Sequence, residues 1–152
     1  MIPEELTARP QWLIWRYGRR EDKPTKIPVD PNTGGAGKVD DPATWTSYEA
    51  ACAARERFRC DGVGFVFTRD DPYVGIDLDH CRDPESGRVE QQAQVIIDEL
   101  ATYAESSVSG SGVHLILRGT MPPGSRHRGR IDDLEVEVYE TGRFFVTTGE
   151  EL

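Results

Sequence analysis

The segment YVGIDLD (73–79) places two carboxylates inside an apolar run of strand length, which limits how this part of the chain can fold. Side chains two apart in a strand point to the same face, so Asp77 and Asp79 share one face. Ile76 and Leu78 lie on the opposite face. Because apolar residues flank both acids, we expect a central strand of a sheet with a doubly acidic face.

Five further segments read as strands because they are rich in aromatic and β-branched residues or alternate apolar with polar residues. They are 11–18, 62–68, 112–119, 134–140 and 143–149. A shorter extended piece at 25–29 lies in a loop rich in proline and glycine. The turn RDDP (69–72) predicts a hairpin between segment 62–68 and segment 73–79.

Two segments predict helices. The first is 44–58, rich in alanine, with Thr46 or Ser47 as its N-cap. The second is 90–104, where four side chains are expected to form an apolar stripe. These are Val95, Ile96, Leu100 and Tyr103.

Length and order of elements predict one α+β domain over residues 1–152, with helices packed on a mostly antiparallel sheet. No run of about 18 apolar residues could span a membrane, and the N-terminal segment does not resemble a signal peptide. We therefore expect a cytoplasmic protein without membrane partners. The three cysteines, widely spaced, predict free thiols rather than a disulfide framework or a zinc site.

The net charge of −9, from 18 basic and 27 acidic residues, argues against binding nucleic acid over the whole surface. Two segments are nevertheless locally basic, residues 16–38 and residues 118–130. The second contains four arginines and no acid. Its residues Arg126, Arg128 and Arg130 are candidates for contact with a nucleic-acid backbone, the alternative being a solvated loop.

A second acidic strand face lies in LEVEVYE (134–140), where Glu135 and Glu137 alternate with apolar residues. If this strand neighbours the one carrying Asp77 and Asp79, three or more carboxylates converge. Such oxygen ligands select Mg²⁺ or Mn²⁺, and two ions about 4 Å apart can clamp a phosphoryl displacement. The alternative is a set of solvated acids on an outer sheet face.

The turn SGSG (109–112) precedes a strand that begins near His114. Glycines allow close approach of a ligand to the backbone, and successive N–H groups can bind phosphate oxygens. His114 could donate a hydrogen bond to the same phosphate. The turn lacks the Gly-Lys-Ser/Thr ending of a P-loop, and a flexible hairpin turn with a surface histidine is the alternative.

In combination and in order, these motifs resemble the archaeo-eukaryotic primase superfamily, and in particular the bifunctional primase-polymerase domains of phages, plasmids and mobile genetic elements. The resemblance is carried by GIDLDHC (75–81), SGSGVH (109–114) and VEVYETGRFFVTTG (136–149). Segments 9–34, 41–51 and 61–68 are also similar, so it extends over nearly the whole chain. It implies an RRM-like catalytic core.

The resemblance also implies roles for individual residues. Asp77, Asp79 and Glu137 match the catalytic acids that hold two Mg²⁺ or Mn²⁺ ions. A second group matches positions that contact the incoming nucleotide: Ser109, Ser111, Gly112, His114, Arg143 and Lys26. Val108 stands where the family often has proline, which changes the stiffness of the turn rather than its chemistry.

The activity implied is template-dependent nucleotidyl transfer, that is, DNA primase or DNA polymerase activity. Its implied partners are a single-stranded DNA template, a primer, nucleoside triphosphates and a helicase of the same replicon. The helical bundle and helicase regions of phage members are absent from this sequence, so extension is the safer expectation than priming. Two alternatives stay open: an RRM-like nucleotide- or nucleic-acid-binding module without catalysis, and a metal-dependent nuclease or nucleotide hydrolase.

Overall fold

Nine strands form two separate sheets in the computed structural model, which describes all residues from Met1 to Leu152. The strands are β1 Trp12–Arg20, β2 Lys23–Val29, β3 Gly62–Phe67, β4 Tyr73–Asp79, β5 Tyr103–Ser106, β6 Val113–Arg118, β7 Arg128–Ile131, β8 Leu134–Tyr139 and β9 Arg143–Thr147. The helices are α1 Glu4–Thr7, α2 Tyr48–Arg57 and α3 Gln91–Leu100, with a 3₁₀ turn at Pro42–Thr44. The α+β class with antiparallel pairing is confirmed, but the expected single sheet is two sheets.

The chain forms two compact units, one of residues 2–66 and 144–147 and one of residues 1, 67–143 and 148–152. The four-stranded sheet of the first unit has the order β2-β1-β3-β9. Its core contains the fully buried Trp12 and Trp15, and Trp12 packs edge-on against Phe65. None of the helices is long and apolar enough to cross a bilayer.

The segment 23–29, expected to be a loop with a short extended piece, is a full strand. β2 pairs with β1 from Arg20 opposite Lys23 to Ile14 opposite Val29. The two residues between them have positive φ angles, 51° at Glu21 and 59° at Asp22. These angles are those of a type I′ hairpin turn. Such turns favour Asn and Gly, so the residues Glu21 and Asp22 do not predict one.

In the second unit, the sheet has the order β5-β6-β4-β8-β7, so β4 is central as predicted. One face of this sheet carries an apolar cluster that includes Leu78, Leu115 and Val113. Helix α3 packs on that face through Ala93 and Ile96. The opposite face is therefore the one that carries the acids of β4.

The predicted hairpin between segments 62–68 and 73–79 is wrong. β3 pairs in the four-stranded sheet, whereas β4 pairs with β6 and β8 in the five-stranded sheet. Asp71 caps the connection by accepting hydrogen bonds from the backbone N–H groups of Thr68 and Tyr73. A turn motif reports a local change of direction, but it does not report which strands pair.

The helix α2 begins as predicted, with the Ser47 hydroxyl accepting the N–H of Ala50 at 3.2 Å. The helix predicted over 90–104 ends early, at Leu100, because Ala101 adopts the left-handed conformation with φ of 43°. Tyr103 consequently lies in strand β5 rather than on the helix. Val95, 48% exposed, does not belong to the buried stripe.

The β1–β2 turn predicts a stabilising double substitution. Replacing Glu21 by Asn and Asp22 by Gly should raise the unfolding free energy by about 1 kcal/mol, because left-handed backbone strains other residues more than Asn or Gly. Urea titration followed by tryptophan fluorescence measures this unit, which holds all three tryptophans. Asp40→Gly, at an exposed position without positive φ, should give no gain; an equal gain there would contradict the assignment.

Cys81 predicts a stability change in alkaline solution. The thiol is free and fully buried, and burial, followed by nearby carboxylates such as Glu90, raises its pKa to about 11. The unfolded chain loses this proton first, from about pH 9, so stability falls as pH rises from 9 to 11.

The loss should reach about 1.4 kcal/mol per pH unit relative to Cys81→Ala. Urea unfolding followed by circular dichroism at pH 8.5 and pH 10.5 measures it. Cys52→Ala, at a half-buried free thiol, should keep the wild-type slope. A wild type that loses no more stability than Cys81→Ala would show this explanation to be wrong.

Candidate active site

The five-stranded sheet lines up five polar side chains in one row across its strands. The antiparallel pairing sets Glu105 opposite His114, His114 opposite Asp77, Asp77 opposite Glu137, and Glu137 opposite Arg128. Directly paired residues on neighbouring strands share a face. The sequence-based condition that the two acidic strands be neighbours is therefore met, and the row extends to both edges of the sheet.

A second, shorter row lies next to the first. Asp79 is opposite Glu135, and Glu135 is opposite Arg130 on the edge strand. Asp79, Glu135 and Glu137 line a cleft of about 350 Å³ together with Arg128 and Arg130. On this side of the sheet, carboxylates thus lie side by side on β4 and β8, and guanidinium groups follow them on the edge strand β7.

The acids do not close into a ready-made metal site. No group of three or more carboxylate, imidazole or thiol side chains is placed close enough to hold a metal ion. Asp77, Asp79 and Glu137 nevertheless offer oxygen donors from adjacent strands and one face, the donor type that Mg²⁺ and Mn²⁺ select. The donor set fits such ions in chemistry, and the predicted metal role of the three acids stays a prediction.

Glu137 is engaged by three neighbours on its own side of the sheet. Its Oε1 is 2.8 Å from Nε of Arg128, and its Oε2 is 3.3 Å from an Nη atom of Arg143. The hydroxyl of Tyr139 donates to Oε2 at 2.7 Å. The side chain of Glu137 is only 15% exposed, so two cations compensate a largely buried negative charge.

Arg128 and Arg130 lie on strand β7 rather than in the loop expected from the sequence. Both side chains are largely exposed, and Arg130 pairs with Glu135 at 3.0 Å. The Tyr139 side chain, and after it the Glu137 carboxylate, raises the pKa of Arg128 above its ordinary value. The third predicted arginine, Arg126, lies exposed in the segment before β7.

His114 lies between two carboxylates rather than at the surface. Its Nε2 is 3.6 Å from Oδ1 of Asp77, and its Nδ1 is 3.8 Å from Oε1 of Glu105. The histidine is 7% exposed. The sequence predicts either a surface histidine of a hairpin turn or a phosphate contact, and it predicts no carboxylate on either side of the ring.

The SGSG turn is held by its own hydroxyl groups. Ser107 accepts the N–H of Gly112 at 3.0 Å, and Ser109 accepts the N–H of Ser111 at 3.4 Å. The hydroxyls of Ser107, Ser109 and Ser111 form a chain with oxygen–oxygen distances of 3.1 and 2.8 Å. The N–H groups expected to face phosphate are thus directed within the turn.

Gly112 is required for packing as well. A Cβ atom at this position would lie 2.8 Å from the carbonyl oxygen of Leu78, closer than real Cβ contacts allow. Gly110, with φ of 76°, takes the left-handed conformation, and its carbonyl accepts a hydrogen bond from Arg82. Glycine at position 112 therefore allows the turn to pack closely against strand β4, and this packing does not depend on a ligand.

Among the predicted nucleotide-binding residues, Arg143 contacts the acidic row by pairing with Glu137. Its guanidinium also lies 4.4 Å from the centroid of the Tyr139 ring. Lys26 lies on β2 of the other unit, where its ammonium is 5.8 Å from the Trp15 ring centroid.

Sequence reasoning missed Glu105, Ser107, Tyr139 and Arg82. The helix predicted over 90–104 ends immediately before Glu105, so no strand is predicted at this position. Its strand, YAES, is only four residues long, too short to show a clear alternation. Ser107 and Arg82 act through backbone contacts, which residue type alone does not reveal.

No protein-family profile matches the chain. Over 147 residues, which are 95% of its length, the chain is 40% identical to a protein named DNA primase-polymerase from Nitratiruptor phage NrS-1. The chain spans 20% of the length of that relative. This similarity supports a primase-polymerase relationship, in agreement with the resemblance carried by the sequence motifs.

Proposed function

We propose that this chain is an archaeo-eukaryotic primase-type catalytic domain that performs template-dependent nucleotidyl transfer. The observation that carries the proposal is the register of β4, which sets Asp77 opposite both His114 and Glu137 on one sheet face. The sequence similarity to the phage primase-polymerase supports the same reaction class.

In the proposed reaction, the primer 3′-hydroxyl oxygen forms a bond to the α-phosphorus of a nucleoside triphosphate. The bond from that phosphorus to the bridging oxygen breaks, pyrophosphate leaves, and the proton of the hydroxyl passes to solvent. Held by Asp77, Asp79 and Glu137, two Mg²⁺ or Mn²⁺ ions would activate the hydroxyl and neutralise the triphosphate. His114 and Arg143 would bind the β- and γ-phosphates, and the turn that contains Ser109, Ser111 and Gly112 directly precedes His114 in the sequence.

The edge strand β7 supports a role in holding nucleic acid. Arg128 and Arg130 line the acidic cleft, and Arg126 is exposed just before β7, so we expect all three to contact backbone phosphates of a single-stranded template or a primer. With a net charge of −9, binding should weaken steeply with salt. Lys26 would contact the incoming nucleotide, as the motif resemblance implies, and a helicase of the same replicon would act with this domain in the cytoplasm.

Glu137 supports a second candidate function, a nucleotide- or nucleic-acid-binding module without catalysis. Its two oxygens are already engaged by Arg128, Arg143 and Tyr139, so it needs to exchange partners before it can bind a cation. In a non-catalytic module this network would simply persist.

Primer extension with labelled nucleotides and Mn²⁺ tests the reaction. Wild type should extend a primed template, and Asp77→Asn with Asp79→Asn should lower the rate at least about 10³-fold, as expected when transition-state charge loses its stabilisation. The matched control is Asp98→Asn with Glu99→Gln, the same loss of two charges on helix α3, which packs on the opposite sheet face.

The other outcomes assign the alternatives. Shortening of the labelled strand without extension would favour a nuclease. Tight nucleotide binding without incorporation by the wild type would favour the binding module. Equal losses in the acidic-face and helix variants would contradict the proposed site.

The Arg128–Glu137 pair predicts a competition with metal. Arg128→Gln should tighten Mn²⁺ binding about fivefold, because it removes a positive charge that competes with the metal ion for the Glu137 carboxylate. Electron paramagnetic resonance of free Mn²⁺ measures the affinity. Arg130→Gln, which frees Glu135 instead, should have a smaller effect. Equal effects of the two variants, or weaker binding by Arg128→Gln, would argue against Glu137 as a ligand.

A further inference from the structure

Glu105 is a buried carboxylate to which the proposed reaction assigns no role. It is 1% exposed and lies on the edge strand β5. It forms one end of the polar row, and Arg128 on β7 forms the other end. An ionised carboxylate taken out of water is costly unless hydrogen bonds or a cation compensate it. The groups that contact Glu105 therefore show how the cost of burying its carboxylate is compensated.

The donors to Glu105 come mostly from the backbone of the segment that follows β9. Thr148 N–H lies 3.1 Å from both carboxylate oxygens, and Gly149 N–H donates to Oε2 at 2.8 Å. The hydroxyl of Tyr103 also donates to Oε2, at 2.8 Å. Because backbone N–H groups have little freedom to move, the carboxylate is held in a defined orientation.

The oxygen Oε1 of this fixed carboxylate is 3.8 Å from Nδ1 of His114. The opposite ring nitrogen, Nε2, is 3.6 Å from Asp77. A carboxylate that faces an imidazole nitrogen favours a proton on that nitrogen and fixes the ring plane. Glu105 thus meets His114 on the side away from the proposed metal ligands.

We propose that Glu105 is a positioning residue for His114. Its carboxylate, 3.8 Å away, favours a proton on Nδ1, sets the ring orientation and thereby holds Nε2 on the side of Asp77. The consequence of this positioning is that His114 is correctly placed against the triphosphate, and this consequence rests on the proposed function. The segment 148–149 shares in this role, because its N–H groups hold the carboxylate.

The first test is direct and needs no catalysis. In a long-range ¹H–¹⁵N NMR spectrum of the wild-type protein, assigned with His114→Asn, Nδ1 of His114 should carry a proton. Glu105→Gln should shift or broaden that signal. Glu150→Gln, a carboxylate of the same segment that accepts from Ser106 instead, should leave it unchanged. An unprotonated Nδ1 in the wild type would overturn the proposal, whether or not Glu105→Gln folds.

The second test is a double-mutant cycle in primer extension. Glu105→Gln should raise KM for the nucleoside triphosphate about tenfold, with a smaller change in kcat. In the His114→Asn background the same substitution should have no further effect, since coupled residues are not additive. Full additivity would overturn the positioning role. Absence of incorporation by the wild type would refute the proposed function instead, and the NMR result would then decide the role of Glu105.

Discussion

The antiparallel register of strand β4 with its two neighbours is the constraint on which the rest of the site depends. β4 is central, and its residues from Gly75 to Leu78 have a paired residue on both sides. Asp77 consequently faces His114 on β6 and Glu137 on β8. A shift of one residue in either pairing would turn the acids towards the apolar cluster under α3, where they would lose their solvation.

Arginines at one edge of the sheet and backbone N–H groups at the other make this acidic face tolerable. Carboxylates close together on one face repel each other, and this repulsion opposes folding. At one edge Arg128 and Arg130 pair with Glu137 and Glu135. At the other edge, backbone N–H groups stabilise Glu105. The row is therefore compensated at both edges.

Much of the local structure could be predicted from residue pattern. The strand at 73–79, its two faces, the neighbouring acidic strand and the N-cap at Ser47 follow from periodicity and residue type. The candidate acids and His114 were also found this way. The errors concern long-range pairing and unusual backbone. The hairpin expected at 69–72 joins strands of different sheets, and Ala101 ends α3 in a left-handed conformation that alanine rarely adopts.

What the sequence determined by itself is the side of each strand on which the acids lie, because strand periodicity is local. Only the tertiary structure decided which side chains meet across strands, since Glu105 and His114, or Glu137 and Arg128, are brought together by pairing. Residue type could identify His114 as a candidate, but it could not show that two carboxylates flank its ring. Hydrogen-bond pairing between separate segments depends on the whole sheet, and for that reason it lies beyond any local pattern.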